Sequence, residues 1–115
     1  MEKITLKPTR GKNVSFKGKE IACASGQWEG GREQSRYTTL RLYRTESGKY
    51  VISDKYTTQW QGESCQEDVF VLESAKAVFE HLERTDGALG RLGTRLVREA
   101  GESDQEIAAI LTVEI

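Results

Sequence analysis

Residues 37–60 read YTTLRLYRTESGKYVISDKYTTQW, and the two halves alternate apolar and polar side chains on either side of Glu46-Ser47-Gly48. Alternation at period two marks a strand with one buried face. A three-residue loop whose glycine takes the left-handed conformation closes such strands into a hairpin, with Thr45 paired to Lys49. The register follows: Leu42 falls opposite Ile52, and Tyr43 opposite Val51. One face carries Leu40, Leu42, Tyr50, Ile52, Tyr56 and Trp60 and reads as core. The other carries Tyr37, Thr39, Arg41, Tyr43, Ser53, Lys55 and Thr57 and reads as a wet surface able to meet a partner.

Upstream of the hairpin, Ile4-Thr5-Leu6 alternates before the only proline, Pro8, and a turn-like run through Asn13. Val14-Ser15-Phe16 resumes the alternation. Gly18 and Lys19 then bend into Glu20 to Ser25, giving either a second strand pair or one bulged strand. Residues 26–35 hold three glycines and no periodicity, so they read as a surface loop carrying an indole, Trp28. Downstream, Gln61 to Ser64 is a turn, and Asp68 to Leu72 is a compact apolar strand expected to lie centrally in the sheet.

Strand character stops at Ser74, which can cap a helix with Ala75, Val78, Phe79 and Leu82 on one stripe, running to about Arg84 and ending at Thr85-Asp86-Gly87. Ala88 to Ala100 reads as a second helix, with Leu89, Leu92, Leu96 and Val97 apolar and Arg91, Arg95 and Arg98 basic. Gly90 and Gly93 weaken it by roughly 1 kcal/mol each. Ser103-Asp104-Gln105-Glu106 is a capping-box pattern that starts a third helix. Residues 111–115 alternate again and suggest a terminal edge strand. The expected architecture is a single α+β domain over residues 1–115: strands in 1–73, helices in 74–110, and an antiparallel sheet of about five strands covered on one face by two or three helices.

Composition narrows the function classes. The chain has 115 residues, 17 basic and 18 acidic, so the field of the whole molecule argues for no nucleic-acid or membrane partner. Two cysteines, Cys23 and Cys65, are too few for a disulfide framework, and the charged, alternating amino terminus does not read as a secretory signal. The expected setting is the cytoplasm, with both thiols reduced.

Catalysis is hard to build from these residues. The single histidine, His81, sits beside an apolar helical stripe with no nucleophile assigned by motif, and a metal site would need more ligands at shorter spacing. No phosphate-binding or dinucleotide fingerprint is present. The chain therefore reads as a non-enzymatic protein-binding or regulatory module, without cofactor or metal and not membrane-bound, monomeric or weakly dimeric. Its expected partner-binding residues are Trp28, Tyr37, Arg41, Tyr43 and Lys55. The alternative is single-stranded nucleic-acid binding. Gly90-Arg91-Leu92-Gly93 resembles the G-x-x-G loop of KH domains, which would assign Gly90, Arg91, Gly93, Arg95 and Arg98 to a phosphate backbone.

The path from Phe16-Lys17-Gly18 through Thr39 to Thr45, Gly48-Lys49-Tyr50 and Val71-Leu72 to an acidic-aliphatic end resembles the bacterial EXLDI protein family. The name-giving ending departs: Glu114-Ile115 echoes Asp-Ile, Val113 stands in the leucine's stead one place earlier, and Leu111 takes the place of the glutamate. The resemblance implies a bacterial protein and transfers no site residues.

Overall fold

Strand propensity dominates the first two thirds of the chain and helix propensity the remainder, and the computed structural model follows that division. The structure describes residues 2–29, 31–86 and 90–112. The strands are β1 (Glu2–Leu6), β2 (Val14–Ser25), β3 (Trp28–Glu29), β4 (Arg32–Glu33), β5 (Arg36–Thr45), β6 (Tyr50–Thr58) and β7 (Gln66–Leu72). Three helices follow: α1 (Ala75–Asp86), α2 (Arg91–Gly101) and α3 (Gln105–Leu111). The main sheet is antiparallel in the order β1-β2-β5-β6-β7, and β3-β4 form a small separate hairpin between β2 and β5. The fold is α+β, with the helices on one face of a curled sheet.

The β5–β6 hairpin forms in the register that its alternation dictates, with Leu42 opposite Ile52 and Tyr43 opposite Val51. Gly48 takes φ +90°, and the Thr45 N–H donates to the Lys49 carbonyl at 2.8 Å. β2 is one bulged strand, its register shifting between Glu20 and Ala22. Ala22, Ala24, Leu40, Leu42, Tyr50 and Ile52 form the sheet's half of the core, and Val78, Phe79, Leu82, Leu96, Val97 and Ile107 close over them from the helices.

α3 is tied to the hairpin by charge. Asp104 caps it, accepting from the Glu106 and Ile107 amides, and also takes a 2.7 Å bond from Arg44. The Tyr50 hydroxyl accepts from Arg44 at 2.9 Å and lies 3.1 Å from both Asp104 carboxylate oxygens. Burial opposes the charge on Asp104, but Arg44, the Ile107 amide and Tyr50 together hold its carboxyl below the usual range. Burial, then Asp104, pushes the Tyr50 phenol well above its ordinary value.

Several expectations are corrected. β7 is an edge strand rather than a central one, because the chain turns directly from it into α1. The cap of α3 is Asp104 and not Ser103, whose hydroxyl lies 3.5 Å from the Ala100 carbonyl, because Asp104 alone faces Arg44 as well as the helix amides. Leu111 belongs to α3 rather than to a strand; residues 113–115 lie outside the described residues, as do Gly87, Ala88 and Leu89. α1 starts as expected, with the Ala77 amide bonded to Ser74 Oγ at 3.2 Å, but extends to Asp86. Trp60 is exposed rather than core; its indole N–H donates to Ser35 Oγ at 2.8 Å, and Arg36 stacks 4.9 Å from its ring. Residues 26–35 hold a short hairpin rather than an aperiodic loop.

Candidate binding site on the concave face

The helices cover the face of Leu42 and Ile52, yet the opposite face is not simply wet. Tyr43 is 8 % exposed, Val51 1 % and Ser53 2 %. The sheet buries them by curling on itself, as the contact between its two edges shows: the Thr9 N–H beyond β1 donates to the Glu67 carbonyl on β7 at 2.9 Å, and the Glu67 N–H returns a 2.7 Å bond to Thr9 Oγ1. The expected open surface is thus the lining of a trough.

The lining is polar at one end and apolar at the other. Toward the β3–β4 end, Arg41 pairs with Glu20 at 3.1 Å, Ser53 donates to Glu67 at 3.0 Å, and Thr39 donates to Ser25 at 3.1 Å. Burial, then the nearby Glu20 carboxylate, raises the Tyr43 phenol above its ordinary value, so it stays protonated at neutral pH. Toward the β5–β6 tip, Val14, Phe16, Val51 and Val71 line an open cavity of about 460 Å³. Phe16 meets Tyr43 edge to face, with ring centroids 5.5 Å apart. Gly18 lies between those rings along β2. A Cβ there would stand 2.4 Å from the Arg44 carbonyl oxygen, so only glycine permits this approach of β2 to β5.

Of the residues picked from sequence, Tyr37, Arg41, Tyr43 and Lys55 share the trough face, since β5 presents alternate residues to it and Lys55 pairs with Thr39. Tyr37 is half-buried, Arg41 is engaged by Glu20, Lys55 is exposed, and Tyr43 is a floor residue rather than a contact surface. Trp28 is 63 % exposed but stands on the β3–β4 hairpin, not on the sheet.

Gly90 is the N-cap of α2 with no side-chain cap, while Gly93 is buried inside the first turn of that helix. The G-x-x-G pattern is therefore helical in part rather than a loop between helices. Arg91, Arg95 and Arg98 are exposed, and Arg95 donates to the Ser25 carbonyl at 3.3 Å. Gly90 and Gly93 line a smaller cavity of about 210 Å³ with Asp54 and His81. His81 packs 4.3 Å from the Phe70 ring, and burial depresses its pKa.

Sequence reasoning missed the apolar end. Its signal was present in Tyr50-Val51-Ile52, an apolar run that breaks the alternation because both faces of β6 are covered, and in Phe70-Val71-Leu72, which breaks it while Val71 stays half-exposed. Both cysteines are free, Cys65 exposed and Cys23 partly so. Among the described residues no cluster of side chains suits a metal ion, and no helix is long and apolar enough to cross a membrane. Comparison with protein-family models, curated proteins and solved structures finds no match in any of the three.

Proposed function

We propose that the chain is a non-enzymatic protein-binding module whose partner seats at the open, apolar end of the trough. The observation that carries this reading is the cavity between Val14, Phe16, Val51 and Val71, beside an edge strand on which Val71 is 51 % exposed. Water at such a surface is released when a partner covers it, and each Å² of apolar area removed is worth about 25 cal/mol before the costs of association. Chemistry is disfavoured on the same face. Arg41 is held by Glu20, Glu67 by Ser53 and Lys49 by Glu73, and Tyr43 keeps its proton.

The test is capture of partners from lysate by tagged protein, with and without nuclease, comparing wild type with Val71→Glu. Val71 is already half-exposed, so the added carboxylate can reach water and the fold should tolerate it. The reading predicts a protein that survives nuclease and is lost with Val71→Glu. Nuclease-sensitive recovery that falls away in Arg91→Glu but not in Val71→Glu would replace it with the nucleic-acid reading.

A further inference from the structure

An antiparallel strand turns the backbone N–H and C=O of alternate residues to opposite sides. The Thr45 amide bond to Lys49 sets which side applies: Lys49, Val51, Ser53 and Lys55 direct their backbone groups toward β5. Their partners on β7, namely Glu67, Val69 and Val71, therefore direct theirs away from β6, toward an edge that no strand among the described residues covers. Glu67 demonstrates this, since both its N–H and its C=O bond Thr9. Thr9 sits against β7 as one residue of an added strand would, and it stops there. Val69 and Val71 continue the same outward row, directly beside the apolar cavity.

Side chains complete the pattern. On the trough face β7 and its flank present Glu67, Val69, Val71 and Glu73 at period two. Their neighbours across the sheet on β6 are Lys55, Ser53, Val51 and Lys49, with Lys49 reaching Glu73 at 3.6 Å. One edge of β7 is thus already matched by a strand of cation, apolar, small and cation. Glu73 keeps 75 % of its side chain exposed, which leaves room for a second cation on the open side.

We propose that the partner is an extended segment of another protein that adds antiparallel to β7 at Val69 and Val71, its alternate residues being a cation facing Glu73 and two apolar side chains facing Val71 and the cavity. This rests on the protein-binding reading above and deepens it. Main-chain bonds supply affinity, and the cavity with Glu73 supplies selection. Thr9 fixes the register by blocking the edge at Glu67.

The probe is a blocked hexapeptide, Lys-Thr-Val-Thr-Val-Thr, titrated into ¹⁵N-labelled protein. Saturable shifts are expected at Val69, Val71 and the cavity residues. Methylating the two valine amides, which face β7, should weaken binding by about tenfold, the loss of two modest hydrogen bonds. Methylating the threonine amides, which face outward, should leave it within about twofold. Val71→Pro removes the outward N–H without breaking a bond to β6 and should weaken binding several-fold in a folded protein. Equal effects of the two methylations, shifts centred elsewhere, or no saturation would overturn strand addition. Concentration-dependent shifts along β7 without peptide would overturn the proposed partner and make a second copy the occupant. Failure here while lysate capture remains sensitive to Val71→Glu would leave the protein-binding reading standing; loss of that capture alone would remove the reading itself.

Discussion

Asp104 ties the start of α3 to the β5–β6 hairpin. It caps α3, accepts from Arg44 and meets the Tyr50 hydroxyl, so three elements depend on one carboxylate. Asp104→Ala removes the cap and leaves Arg44 and the Tyr50 hydroxyl with Glu106 as their remaining carboxylate, and should destabilise by about 2 kcal/mol in denaturant unfolding. Arg44→Met should be milder when made in the Asp104→Ala background than in wild type, because the two side chains act on each other. The same carboxyl fixes a pH dependence. Its folded-state pKa lies below the unfolded value, so the unfolded chain takes the proton first and stability is lost as pH falls from about 4 through the folded value. His81 is also depressed, by burial first, and its protonation begins to cost stability as pH falls below about 6.5. Unfolding followed from pH 8 downward should weaken in two stages, and His81→Gln should remove the upper one. Stability that rose on acidification would contradict both assignments.

At the scale of elements, what was legible depended on whether local pattern or global curvature decided. The β5–β6 register, the left-handed Gly48 and the Ser74 cap are set within a few residues, and all are readable from alternation and turn chemistry. The position of β7 was not. Its run Val69-Phe70-Val71-Leu72 is apolar on both faces, which normally means a central strand, but β7 is an edge on which Phe70 and Val71 stay exposed, and what faces it is set by the sheet's curl rather than by local spacing. For the same reason Tyr43, polar-tipped and in phase with Arg41, read as surface and is floor. Four of the five expected contact residues share the trough face, whereas its apolar end depends on Val14 and Phe16 lining one cavity with Val71 across the curl, a juxtaposition that no local spacing encodes. Gly18 is the element-scale prediction. Gly18→Ala drives a Cβ into the Arg44 carbonyl and should cost about 2 kcal/mol or more, with loss of the Phe16–Tyr43 ring contact visible in aromatic circular dichroism.

At the scale of the whole molecule, five strands curl without closing. The helices seal the outer face, one backbone tie at Thr9 and Glu67 draws the two edges together, and the remaining edge of β7 stays beside an apolar cavity. Thr9→Ala deletes the acceptor for the Glu67 amide and should cost about 1 kcal/mol while speeding exchange at Glu67. The proposed binding follows from the direction of the β7 backbone, and amide hydrogen exchange along that strand tests this most directly. Val69 and Val71 should exchange fast while Glu67, held by Thr9, and Phe70, held by β6, exchange slowly. Slow exchange at Val69 and Val71 in the free protein would mean that the edge is already occupied, and would contradict the account.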